Sequence, residues 1–311
     1  MTDRCHGPAP RSVPMGESGN FILAHFAREL SARFGVHLSM DQEQEGGAVP
    51  VLEARALTKR YGGFRAVRDV SFSIRPGELL GVVGPNGAGK STIVRMLTGL
   101  AEPTAGTVLF RGEPIGRDLG AYKHNLGYVP ETPDLYGFLT GWEYLEMVAT
   151  LRGLERHRFR RKAEAMLDGL TLFPHRHNPI AGYSKGMRQR IVVIAALLDD
   201  PALLILDEPF SGLDVTSALV LRRLIGMLAA AGKAVLFSSP VLEQVDQLCS
   251  HLLLLRRGEV VAAGTMEQMG AGPEGLAGGL NLETRVMQLT EQADAGEIAK
   301  DLLAATMATS R

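Results

Sequence analysis

The chain changes texture at Val51. Beyond it, the runs Val51 to Ala56 and Ala66 to Ile74 flank Tyr61-Gly62-Gly63 and predict two strands joined by a turn. Pro76-Gly77 supplies the next turn. Leu79 to Val83 is apolar without a break and runs into glycines, the pattern of a strand buried on both faces of a mostly parallel sheet. Ala202 to Leu206 and Lys233 to Ser238 repeat that pattern. Helical periodicity lies between these runs, so β and α alternate and predict a three-layer α/β fold. Thr140 and Glu143 have capping-box spacing. Tyr144, Met147, Val148 and Leu151 follow at i, i+3, i+4 and i+7, which opens a helical insert running to about Leu172. Leu252 to Ala263, centred on Arg257-Gly258, predicts a late hairpin.

The flanks differ from this core. Residues 1–20 are rich in Pro, Gly and Ser and predict disorder, Phe21 to Met40 has the pattern of a short amphipathic helix, and Asp41 to Pro50 reads as a linker. The expected organisation is an N-terminal extension over 1–50, one domain over 51–270 with a helical part at about 131–190, and a tail over 271–311.

Composition narrows the function classes. A net charge of -1 gives no global reason to expect a nucleic-acid partner. The densest basic run, Arg152 to Lys162, is interrupted by Gly153, Leu154, Glu155 and Phe159 and predicts the solvated face of a helix. Cys5 and Cys249 lie too far apart in sequence and context to suggest a disulfide framework, which fits a reducing cytoplasm. The longest apolar stretch, Ile191 to Leu198, is far short of the ~20 residues of a membrane helix. Phe21 to Ala27 lacks a secretory pattern, so a role at a membrane calls for a partner.

The candidate chemistry begins where the first buried strand ends. Gly84, Pro85, Asn86, Gly87, Ala88, Gly89, Lys90 and Ser91 fit G-x-x-x-x-G-K-[ST], directly before a helix predicted from Thr92 to Leu100. Glycines let backbone N–H groups curl around a phosphate, and the helix start adds partial positive charge. Lys90 is expected to bridge β- and γ-phosphates, and Ser91 to hold Mg²⁺ through its hydroxyl. A second apolar strand, Leu203 to Leu206, delivers Asp207 and Glu208 at its C-terminal end, where open α/β sheets bind ligands. Asp207 is expected to orient a metal-bound water. Glu208 is expected to polarise the water that attacks the γ-phosphate.

With these motifs in place, Val51 to Gly264 resembles the ATP-binding cassette ATPases, with a weaker similarity near Leu282 to Thr290. Tyr61 occupies the place of the aromatic that stacks on adenine, and Val129-Pro130-Glu131 resembles the γ-phosphate-sensing loop. Tyr183-Ser184-Lys185-Gly186-Met187 resembles the signature motif, and Ser211-Gly212-Leu213-Asp214 the dimer-contacting loop. The resemblance implies a P-loop NTPase fold with an antiparallel β subdomain and a helical insert carrying the signature. It implies ATP and Mg²⁺ as ligands, with Glu131 facing the hydrated metal. It also implies a second cassette whose nucleotide meets Ser184, Gly186 and Asp214, and a separate membrane permease contacting Glu131 to Thr150 through Leu135, Tyr136, Phe138 and Trp142. The implied location is cytoplasmic, on the inner face of the membrane.

The departures from the family pattern are informative. Glu131 replaces a glutamine, and Lys185 and Met187 replace a glycine and a glutamine. These variants resemble drug- and antibiotic-export ATPases and imply an exporter. Pro240 stands where the family has a histidine that positions the attacking water, and proline offers neither a side-chain donor nor a backbone N–H. That substitution keeps open a regulatory subunit with weak hydrolysis. A non-transport cassette protein is the remaining alternative, although no second cassette or long insert is present to support it.

Overall fold

The computed structural model describes residues 49–268. The helix expected at Phe21 to Met40, the residues 1–20, most of the linker and the tail beyond 268 lie outside the described residues.

β1 (Leu52–Tyr61) and β2 (Phe64–Ile74) form an antiparallel hairpin whose register runs from Leu52 opposite Ile74 to Tyr61 opposite Phe64. Both strands are longer than expected, because the polar stretch Leu57 to Tyr61 continues the ladder past the apolar run. β4 (Ala105–Phe110) and the short β5 (Glu113–Pro114) complete a four-stranded sheet in the order β2-β1-β4-β5.

The second sheet holds β3 (Leu79–Val83), β6 (Leu126–Val129), β7 (Leu203–Asp207), β8 (Ala234–Ser239), β9 (His251–Arg256) and β10 (Glu259–Thr265). Its order is β10-β9-β3-β8-β7-β6, parallel except for β10, which closes the Arg257-Gly258 hairpin on β9. Side chains of a strand alternate between faces, so a continuous apolar run feeds two cores. Leu79 and Val83, Leu204 and Leu206, and Val235 and Phe237 pack into one core with the helices of the insert. Leu80 and Val82, Leu203 and Ile205, and Ala234 and Leu236 pack into the other, with the antiparallel sheet and α1 (Lys90–Leu97). Three layers result.

β6 escapes the periodicity argument because it is short and carries Gly127. A side chain at that glycine would meet the carbonyl of Ala196 at 2.6 Å, so the strand gives up an apolar residue to let a helix backbone approach.

α2 (Leu119–His124) precedes β6, and the helical insert follows it as two helices, α3 (Gly141–Leu151) and α4 (Arg156–Gly169), broken at Gly153 with φ +66°. The Thr140 and Glu143 capping box forms as the spacing predicts. Arg156, Arg158, Arg160 and Arg161 of the basic run are exposed as expected, but Arg152 and Lys162 at its two ends are not. Arg152 donates to the carbonyls of Lys123 (3.1 Å) and Leu126 (3.0 Å), and Lys162, 8% exposed, donates to that of Leu198 at 3.2 Å. Their long stems bury while the charges satisfy orphan carbonyls, among them one at the end of α5 (Lys185–Leu197). α5 starts directly after its N-cap Ser184, so Gly186 lies inside its first turn. α6 (Val215–Ala230) and α7 (Leu242–Asp246) complete the described chain. Cys249 is a buried free thiol, its pKa pushed up by burial.

Candidate functional site

Strand order determines what can meet. β8 lies between β3 and β7, with Val83 paired to Ser239 and Asp207 to Ser238, so the C-terminal ends of all three strands share one edge. Gly84 leaves that edge from β3. A side chain at Gly84 would strike the carbonyl of Leu255 at 2.4 Å, so only glycine lets the loop start flush against β9. Gly87 (φ +80°) and Gly89 (φ +106°) then take left-handed conformations that turn the chain into α1. α1 begins at Lys90, two residues earlier than expected, so Lys90, Ser91 and Thr92 all belong to its first turn. Gly89 provides no side-chain cap and no acid stands in that turn, which leaves the orphan N–H groups at the positive end of the helix available to an anion.

Lys90 is 5% exposed and folds back over its own loop, donating to the carbonyls of Gly84 (2.7 Å) and Pro85 (3.3 Å). Burial lowers its pKa, opposed by the charges of Glu208, Asp207 and Glu131. Asp207 is 4% exposed, and burial raises its carboxyl pKa against the pull of the Ser238 hydroxyl, which donates to it. Glu208 sits one residue on with φ +46° and its N–H on the carbonyl of Ser238 at 3.1 Å. A left-handed conformation in a residue other than glycine costs about 1–3 kcal/mol, held here by the surrounding sheet. Burial and then Glu131 raise the Glu208 pKa, a direction that suits a group meant to accept a proton.

The donor set fits a magnesium nucleotide. Uncapped N–H groups and a buried amine stand at one strand edge, where the charges of Asp207, Glu208 and Glu131 act on that amine. Among the described residues no group of three His, Cys, Asp or Glu side chains stands ready to hold a metal alone. A divalent ion at this edge would therefore draw much of its shell from phosphate and water, as Mg²⁺ does.

The other expected residues fall into two places. Tyr61 is exposed at the tip of the β1–β2 hairpin, with the Lys59 amine 5.2 Å from its ring centroid. The same hairpin touches the loop, since a side chain at Gly89 would meet the carbonyl of Ala66 at 2.8 Å. Ser184 is the N-cap of α5 and accepts from the Met187 N–H at 3.2 Å, and Gly186 lies against Gly212 and Leu213. Asp214 caps α6 through the Ser217 N–H at 2.9 Å. The structure therefore gathers Lys90, Glu131, Asp207 and Glu208 together, and Ser184, Gly186 and Asp214 into a separate cluster. Trp142 is half-buried on Phe159 with centroids 5.2 Å apart, whereas Tyr136 and Phe138 stand exposed.

Sequence reasoning missed Ser238. Its signal was present, because two serines end an otherwise apolar strand beside the strand that carries the paired carboxylates. Pro240 is exposed just past β8, and Ser239 accepts from the Val241 N–H at 3.0 Å. His251 opens β9 opposite Leu80, at the far end of the sheet from Gly84.

Comparison with known proteins gives a consistent set of relatives. The family model described as ABC transporter matches residues 67–211. An uncharacterized ABC transporter ATP-binding protein of Nostoc sp., all4389, is 38% identical over 207 residues, spanning 66% of this chain and 61% of its own length. The ABC transporter ATP-binding protein NatA of Bacillus subtilis is 36% identical over 66% of this chain and 84% of its own. The linearmycin resistance ATP-binding protein LnrL of the same organism is 35% identical over 69% of each chain. A solved structure of an ATP-binding subunit of an ABC transporter superposes with TM-score 0.71 at 32% identity, covering 77% of this chain and 99% of that one.

Proposed function

Because the chain belongs to the ABC transporter family, we propose that it is the ATP-binding motor subunit of an exporter, driving a separate membrane permease. The observation that carries this reading is the shared strand edge at which the uncapped start of α1 and the buried Lys90 meet Asp207 and Glu208. Lys90 and the loop N–H groups bind and orient the phosphates. Ser91, Asp207 and Glu131 would hold Mg²⁺, which when bound neutralises phosphate charge. Glu208, its pKa raised, accepts a proton from the attacking water. Tyr61 stacks on the adenine from the hairpin tip.

Ser184, Gly186 and Asp214 stand apart from this edge and are suited to a nucleotide held by a second cassette, paired head to tail. Tyr136 and Phe138, exposed after the sensing loop and 5.8 Å apart ring to ring, form the permease-facing surface, while Trp142 packs on Phe159. Among the described residues no helix is long and apolar enough to cross a membrane. Export in particular is supported by the name of a relative, the Nod factor export ATP-binding protein I of Ralstonia nicotianae, 34% identical over 72% of this chain and 70% of its own.

Phosphate release by the purified chain, alone and with its permease, tests the proposal. MgATP-dependent release abolished by Glu208→Gln is expected. Failure to bind a non-hydrolysable ATP analogue would overturn it. A second reading, a subunit that binds and switches but hydrolyses slowly, rests on Pro240, since β8 ends without a histidine to position water. In that case Pro240→His raises turnover, and adding Glu208→Gln removes the gain. Wild-type turnover in the ordinary range of about 1–10³ s⁻¹, unchanged by Pro240→His, rules that reading out.

A further inference from the structure

Lys185 occupies the first position of α5, where the family resemblance leads one to expect glycine. Its amine donates to the Ser211 hydroxyl at 2.9 Å. Its stem lies across Gly212, where an added side chain would meet three of its carbons at 2.5 to 2.9 Å. Gly212 itself has φ +76°, so that position is restricted to glycine both by backbone and by the lysine above it. Ser211 is in turn bonded to the general-base segment, its N–H donating to the carbonyl of Glu208 at 3.0 Å. The Lys185 charge also acts on the Glu208 carboxylate. A continuous path thus runs from the signature turn through Lys185 and Ser211 to the backbone of Glu208.

In the head-to-tail pairing, Ser184 and Gly186 meet the partner's nucleotide, while Glu208 serves the nucleotide of its own chain. We infer that Lys185 is a positioning residue that links these two sites, pinning the Ser211 to Asp214 loop and with it the Glu208 turn to the signature helix. This inference rests on the function proposed above. A glycine at position 185 would remove the loop's side-chain tie to α5 and leave it held by its own turn, through the Ser211 and Leu213 N–H bonds to the carbonyls of Glu208 and Phe210, and by the Asp214 cap. Lys185 touches neither Lys90 nor the phosphate loop in the contacts described, so its effect belongs to turnover and not to nucleotide capture.

Two measurements test the link. Hydrogen exchange of the full chain without nucleotide reads the pin directly. Lys185→Met and Ser211→Ala should each speed exchange across Ser211 to Asp214 severalfold, the double variant should add nothing, and Lys185→Arg should restore protection. Unchanged exchange in Lys185→Met overturns the inference whether or not the chain hydrolyses ATP. Steady-state kinetics reads the consequence. Misplacing a reacting geometry without touching the binding site lowers kcat by about tenfold or more. Lys185→Met and Ser211→Ala should both do so with KM for ATP within twofold, with equal and non-additive losses. A rise in KM alone, or a loss in Lys185→Met that Ser211→Ala does not reproduce, means that the lysine contacts phosphate directly, and the link is refuted. Loop exchange as expected in a wild-type chain that neither binds nor hydrolyses ATP leaves the pin standing and refutes the motor function instead.

Discussion

Ser238→Ala removes a single hydroxyl, and its consequences follow from burial. Ser238 is fully buried, Asp207 is 4% exposed, and the hydroxyl donates to the carboxylate from the neighbouring strand. A hydrogen bond to a charged group contributes about 1.5–3 kcal/mol, and its loss leaves a buried carboxylate oxygen without that donor. For a domain of this size each kcal/mol moves Tm by roughly 2–4 °C, so a fall of about 3–12 °C is expected in metal-free buffer. Thermal unfolding with EDTA measures it. Asp207→Asn removes the charge while keeping an acceptor, so Ser238→Ala in that background should cost about 1 kcal/mol less than in the parent. Because the hydroxyl also fixes the carboxylate's rotamer, the Mg²⁺ concentration for half-maximal phosphate release should rise severalfold. A Tm within 1 °C of the parent, with unaltered Mg²⁺ dependence, would refute the assignment of Ser238 as the support of Asp207.

Further outcomes follow from the same geometry. Lys90→Ala deletes a buried, charge-assisted phosphate contact and should weaken binding of an ATP analogue at least about tenfold by titration calorimetry; unchanged affinity would sink its role. Tyr61→Ala should cost about 1–3 kcal/mol of nucleotide affinity and Tyr61→Phe almost nothing, since a stacking face needs no hydroxyl, and equal losses would point to the phenol oxygen. Lys162→Met keeps the buried stem but loses the bond to the Leu198 carbonyl, so denaturant unfolding should show a loss near 1 kcal/mol, whereas Lys162→Glu beside Asp199 and Asp200 should cost several times more.

The parts legible in the sequence are those that the backbone or a two-sided core dictates locally. Leu79 to Val83 reads as a doubly buried strand because both of its faces really do meet cores, and Gly87 and Gly89 read as a loop because their dihedrals exclude side chains. The late hairpin and the Thr140 cap are local for the same reason. β4 and β6 were not visible. β6 yields its centre to Gly127, a requirement set by α5, whose backbone approaches it from some seventy residues away in sequence. Lys162 departs from the solvated run around it because the tertiary fold brings the end of α5 within reach and offers it a carbonyl, which spacing does not reveal. Ser238 and Lys185 fall in the same class, with partners fixed by strand order and loop packing instead of by spacing.

That distinction bears on how binding and hydrolysis divide between strands. β3 and β7 bring the phosphate loop and both carboxylates, and each contribution is present in full. β8, which lies between them, contributes Ser238 to Asp207, has the Ser239 hydroxyl donating to Gln244 Oε1 at 2.9 Å while accepting from the Val241 N–H, and then ends in a proline. Its polar atoms support the metal-side carboxylate and the start of α7, and no donor remains on it for the γ-phosphate. On the function proposed above, nucleotide capture would rest on β3 and β7 and not on β8. On that same proposal, the speed of hydrolysis would depend on Glu208 being held by its own turn, through the Ser238 carbonyl and the Ser211 N–H, more heavily than in a cassette where a histidine shares the task of placing the water.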